Sequence, residues 1–138
     1  MPKRKLKSVA KFSEDVAVLL QKLVRLENSD DNGYCSCVTC GTTKHYKELD
    51  GGHFVSRRYT ATRLMKENIW PQCKGCNGYL KGNPIPYTLF MIDMYGKEFV
   101  HELNALKNES KKYTRDELAE MAEEFKDQIR YHENRVVG

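Results

Sequence analysis

Four of the five cysteines in this 138-residue sequence stand in two pairs, Cys37-Val-Thr-Cys40 and Cys73-Lys-Gly-Cys76. Each C-x-x-C pair brings two thiolates to one side of a tight turn. Zn2+ takes four thiolates in a tetrahedron, so two pairs point to one structural zinc. Gly41, directly after the first pair, suits the turn of a zinc knuckle. A redox C-x-x-C is the other chemistry open to such a pair, but it does not need a second pair. Cys35 is left over; it could be a spare thiol near the metal, and is better read as a small core residue.

A closed four-thiolate site leaves zinc no open position for water, so catalysis has to come from other residues. Between and beside the pairs lie Asp50-Gly51-Gly52-His53, Asn68 and Asn77. Closing both pairs on one metal would force the hairpin against a short helix beginning at Asn77. An imidazole, a carboxylate and a carboxamide would then face a small cleft. That set suits metal-assisted phosphodiester hydrolysis, in which the imidazole takes a proton from water and oxygen ligands hold a hard divalent cation against the phosphate. A lone histidine is more often a surface or core residue. His53 differs because two glycines before it let the backbone approach closely, and because it lies in the most basic part of the chain. His45, His101 and His132 lack such a setting and are assigned no role.

Charge is unevenly spread: residues 1–40 carry +2, residues 41–82 carry +5 and residues 83–138 carry −3, within a total of +4. A basic middle beside a metal-type cysteine pattern points to a polyanion such as nucleic acid, with a solvated basic face as the plainer reading. With 30% charged residues and a mean hydropathy of −0.69, the sequence reads as a globular protein without a membrane span. Its N-terminus has basic residues but no apolar segment of the secretory type, which predicts a reducing cytoplasm and reduced cysteines.

The elements that must position these residues follow from local pattern. Lys3, Arg4, Lys5, Lys7 and Lys11 read as a basic arm. Ser13 is a candidate N-cap for a helix with Val16, Leu19, Leu20 and Leu23 on one face, ending near Asn28. A turn cluster over 28–33 leads into a hairpin region of β-type stretches, 34–38 and 47–55, around Gly41-Thr42-Thr43. The segment 68–76 leads into a short helix over 77–81, which Gly82-Asn83-Pro84 stops. Tyr87, Phe90, Met91 and Met94 mark a further helix stopped by Gly96, and Phe99, Val100, Leu103 and Leu106 another. Thr114-Arg-Asp-Glu117 is a capping box opening a last helix, whose apolar stripe (Leu118, Met121, Ala122, Phe125, Ile129) reads as core packing or a face for a partner or a second copy. The parts are an arm and helix (1–33), a central core (34–83) and C-terminal helices (84–138), together one α+β domain.

Taken in order, Cys37-Val-Thr-Cys40-Gly41, Asp50-Gly-Gly-His53-Phe54, Arg63-Leu64, Glu67-Asn68-Ile69, Gln72-Cys73-Lys-Gly-Cys76-Asn77 and Gly82-Asn83 resemble the NinG (Rap) recombination nucleases of lambdoid phages. The resemblance runs over roughly residues 34 to 130. It implies a zinc-knuckle ββα-metal (HNH) core and a metal-dependent endonuclease that cuts branched recombination intermediates, D-loops and Holliday junctions, in the cytoplasm of an infected host. Carried over by position, it makes His53 the general base, Asn77 a ligand of a catalytic Mg2+ or Mn2+, and Asn68 the residue ordering the loop around the base. Asp50 becomes the second ligand, although an odd offset along a strand points to the opposite face, so Gly51-Gly52 would have to twist or bulge the backbone. Arg57, Arg58, Arg63, Lys74 and Lys81 are the expected phosphate contacts, a homodimer is possible, and a zinc-stabilised DNA-binding accessory without cleavage is the rival reading.

Overall fold

The computed structural model describes residues 6–136, so Lys3, Arg4 and Lys5 of the basic arm lie outside the described residues. Helix α1 spans Val9–Glu27, capped by Ser8, whose hydroxyl accepts from the Lys11 N–H at 3.1 Å. The helix therefore starts earlier than Ser13 suggests. Ser13 is an inward-facing residue of α1, 9% exposed, and its hydroxyl accepts from the Arg63 guanidinium. Both serines precede helix-compatible sequence, and the earlier one supplies the cap.

Strands β1 (Tyr34–Ser36) and β2 (Thr43–His45) form a small antiparallel hairpin around the first cysteine pair, with Tyr34 opposite His45 and Ser36 opposite Thr43. Gly41 has φ +80, and its N–H donates to the Cys37 carbonyl at 2.9 Å, closing the turn. Strand β3 (Leu49–His53) pairs with β4 (Ile69–Cys73), not with the first stretch as the hairpin reading expects. The register is continuous from Leu49 opposite Cys73 to His53 opposite Ile69. The polar, three-residue β2 carries no strand pattern of its own, which is why the first hairpin's true partner is hidden in the sequence. Pro71 accepts from the Val38 N–H at 3.0 Å, joining the hairpin to β4.

After β4 comes one wide helical turn, Gly75–Tyr79, in which the Leu80 N–H donates to the Gly75 carbonyl at 2.9 Å. Such wide turns are frequent at functional sites. Helices α2 (Pro84–Tyr95), α3 (Lys97–Ala105) and α4 (Arg115–Arg135) follow. Gly96 stops α2, and Thr114 and Glu117 cap α4 reciprocally.

The fold is mixed helix and sheet, with three apolar clusters among the described residues. Leu20, Leu23 and Leu26 of α1 pack on Leu49, Ile69 and Ile129; Val16 and Ala17 pack on Leu118 and Ala122; Val55 meets Tyr87, Met91 and Leu103. The stripe on α4 is therefore covered by α1. Arg25 ties α1 to the sheet by donating to the Tyr46 and Leu49 carbonyls at 3.1 and 3.3 Å. No helix among the described residues is long and apolar enough to cross a membrane.

Candidate active site

The hairpin loop and the β4 turn bring Cys37, Cys40, Cys73 and Cys76 together, their sulfur atoms all within 4.8 Å of one another. A tetrahedron of Zn–S bonds of about 2.3 Å has sulfurs about 3.8 Å apart. The Cys40 to Cys73 separation of 3.7 Å fits that closely. Donors surround the sulfurs as thiolates require: the Cys76 N–H lies 3.4 Å from Cys73 Sγ and the Asn83 amide 3.6 Å from Cys76 Sγ. Burial works to raise the Cys37 thiol, but the Thr39 hydroxyl and nearby backbone amides bring it down to about 6; Cys40 goes the other way, for against the pull of the Thr42 amide, burial and the neighbouring sulfurs push it up to about 12. The donor set fits a structural metal such as zinc. Cys35 stands apart from it, buried in the cluster of α1 and the sheet.

Beside this centre lies a cavity of about 580 Å³ whose lining includes Asp50, His53, Arg57, Asn77 and Lys81. Asn77 reaches it because the wide turn begins directly after the second cysteine pair's anchor on β4. Asp50 and His53 stand at an odd offset along an unbulged strand, yet both line the cavity. Gly51, between them, lines it as well, while the side-chain space at Gly52 is taken up by Gln72. A Cβ on Gly51 would lie 2.8 Å from Gln21 Cβ, and one on Gly52 1.9 Å from Gln72 Oε1. Tyr87, 1% exposed, anchors the strand by donating its hydroxyl to the Gly52 carbonyl at 2.6 Å.

His53 Nε2 lies 2.9 Å from the Arg63 carbonyl. A carbonyl only accepts, so Nε2 carries the hydrogen and the Nδ1 lone pair is left to take a proton. Burial lowers the imidazole's proton affinity, and the Arg57 and Arg63 guanidinium groups lower it further, against the favourable pull of the Arg63 carbonyl. The ring is therefore neutral at pH 7. Asp50 accepts from the Asn77 amide at 3.1 Å and from Lys74 at 2.8 Å. Burial works to raise its carboxyl, but Lys74 and Asn77 outweigh that and hold it below the usual carboxylate range.

Asn68 is fully buried and absent from the cavity lining. Arg57 lines the first cavity and a second of about 510 Å³ that also meets Lys11, Arg58 and Arg63. Arg58 donates to the Tyr59 hydroxyl at 2.6 Å, and Lys74 is engaged with Asp50. Gln21, Gln72 and Tyr87 have no site role in the sequence reading, although Gln72 stands in the second cysteine motif and Tyr87 on a helix face. Gln21 had one signal: it falls four residues from both Ala17 and Arg25, on the α1 face beside the apolar stripe.

A mixed helix-and-sheet fold with a four-cysteine cluster suited to a structural metal, beside a cleft lined among the described residues by one imidazole and one carboxylate, is the class these features define. The sequence model described as Bacteriophage Lambda NinG protein matches residues 1–135, and the chain belongs to the NinG family. It is 31% identical over 98 residues to protein ninG of Escherichia phage lambda, covering 68% of this chain and 46% of that protein. It is 36% identical over 76 residues to protein ninG of Escherichia phage 933W, covering 52% of this chain and 36% of that protein. Protein ninG of Salmonella phage P22 is 29% identical over 98 residues, covering 68% of this chain and 46% of that protein. The matched region thus spans less than half the length of these relatives. No solved structure matches.

Proposed function

We propose that this chain is a metal-dependent DNA endonuclease of the zinc-knuckle HNH type, acting on branched intermediates of phage recombination. The observation that carries the reading is the convergence of His53, Asp50 and Asn77 on one cavity whose other charged lining residues, Arg57 and Lys81, are basic. The antiparallel pair β3–β4 followed by the helical turn Gly75–Tyr79 agrees with a ββα arrangement.

In this reading Nδ1 of His53 takes a proton from the water that attacks the scissile phosphorus, the bond to the 3'-oxygen breaks, and that oxygen takes a proton from solvent water, leaving 5'-phosphate and 3'-hydroxyl ends. Arg63 fixes the ring through its carbonyl so that the basic nitrogen is the one facing the reaction. The Asp50 carboxylate and the Asn77 carboxamide oxygen are hard donors that fit Mg2+ or Mn2+, with one formal negative charge between them. A cation held there would neutralise charge on the phosphate and the leaving oxygen. Arg57 and Lys81 would bind the phosphates on either side. The thiolate centre keeps Asn77 opposite β3 and takes no part in the chemistry.

The test is a nicking assay with four-way junction and linear duplex, in Mg2+, in Mn2+ and in EDTA. Metal-dependent cleavage favouring the junction is expected. Junction binding without cleavage in either metal would replace this reading with that of a DNA-binding accessory.

A further inference from the structure

Among the described residues Asp50 is the one carboxylate lining the cleft, and both its oxygens are engaged: Oδ2 by the Asn77 amide and Oδ1 by the Lys74 ammonium. Lys74 thus holds an oxygen that a divalent cation would need. Its position is fixed at the backbone, between Cys73 and Cys76, but its side chain is 69% exposed. Among the described residues its ammonium has no other hydrogen-bond or ion-pair partner. An ion pair this exposed is weak, so it is readily exchanged. On the far side Lys74 shares a surface depression with Lys44, Lys47 and Glu48, whose net positive charge discourages the ammonium from leaving Asp50 without another anion to meet.

We infer that Lys74 is an exchangeable counter-ion, which neutralises Asp50 in the free protein and transfers to a DNA phosphate oxygen when the cleft is filled. The inference rests on reading the cleft as a phosphodiester-hydrolysing site. A carboxylate that carries an ammonium attracts a cation less, so the free protein binds a divalent ion poorly. A phosphate entering the cleft offers the ammonium a new partner and releases Asp50. Cation and DNA binding are then positively coupled, and by linkage each strengthens the other equally. Lys74 becomes a positioning residue for the proposed reaction, with opposite effects on its two ligands.

The experiment uses the zinc-loaded full chain. Without DNA, free Mn2+ is titrated in and followed by electron paramagnetic resonance. Lys74→Met is expected to bind Mn2+ about three- to tenfold more tightly than wild type, Lys74→Arg like wild type, and Asp50→Asn far more weakly. In EDTA, Lys74→Met is expected to bind a four-way junction at least about threefold more weakly, as the loss of one phosphate contact requires. A change that merely loosened the fold would weaken both ligands together. Equal Mn2+ affinity in wild type and Lys74→Met, with Asp50→Asn impaired, overturns the inference and leaves the metal reading standing. No Mn2+ binding by any variant, or binding indifferent to Asp50→Asn, overturns both.

Discussion

Asn68 holds both backbone polar groups of Val55: its Oδ1 accepts from the Val55 N–H at 2.8 Å, and its Nδ2 donates to the Val55 carbonyl at 3.0 Å. The same amide donates to the Thr62 carbonyl at 3.2 Å, and the Asn68 carbonyl accepts from the Phe54 N–H at 2.8 Å. One buried residue thereby fixes the chain just beyond His53 without entering the cleft. In the proposed enzyme Asn68 positions the base and does not touch substrate.

Asn68→Ala strands the Val55 N–H and carbonyl in a buried place, at about 1–3 kcal/mol for each group. Urea unfolding should show a loss of about 2–6 kcal/mol, with a matching fall in cleavage. A loss of activity with unchanged stability would instead make Asn68 a contact of the reaction.

Cys73→Ser removes a thiolate from the four-sulfur centre. Structural zinc is worth on the order of 10 kcal/mol, comparable with the whole stability of a small domain. The variant should lose zinc by elemental analysis and lose the cooperative melt seen by circular dichroism, and a chelator should do the same to wild type. Full zinc content and near-native melting in the variant would refute the site.

His53→Ala should keep zinc, fold and junction binding while cleavage drops by about a hundredfold or more, the usual scale for a lost general base. Since burial and the neighbouring arginines lower the imidazole's proton affinity from its ordinary 6.5, the neutral, active form persists below that pH. Cleavage should rise with pH, inflect below 6.5 and level off above it. An inflection above 6.5 would contradict the environment described for the ring.

Arg57 borders both the cleft and the adjoining cavity along α1. If DNA crosses from one to the other, Arg57→Ala should flatten the dependence of log affinity on log salt by about one unit. Fluorescence anisotropy at several salt concentrations reads this directly, and an unchanged slope would place the DNA elsewhere.

The parts legible from sequence are those set by short-range rules. Two C-x-x-C pairs have the spacing a structural metal such as zinc asks for, and the fold brings Cys37, Cys40, Cys73 and Cys76 together; the Thr114 to Glu117 capping box is a local signature that the structure repeats. His53 and Asn77 meet at one cavity because each is a few residues from an element that the cysteines pin. The pairing of β3 with β4 was not legible, since the partner strands are separated by a long loop and neither has a clean alternation. Gln21 and Tyr87 reach the cleft from α1 and α2, helices far apart in the sequence, and no local pattern announces such a convergence. The choice of Ser8 over Ser13 as helix cap was equally open, because both are good caps and only tertiary packing with Arg63 separates them.

The two glycines of β3 also constrain how this sequence can change. A methyl group at Gly51 would meet the Gln21 backbone at 2.9 Å, and at Gly52 it would meet the Gln72 side chain, which is pinned to Thr39 and Gly82. Neither position tolerates a lone replacement. Gly52 becomes mutable only together with Gln72, while Gly51, facing backbone, requires α1 itself to shift. This stretch of β3 is thus an epistatic unit, in which viable variants are reached by paired changes.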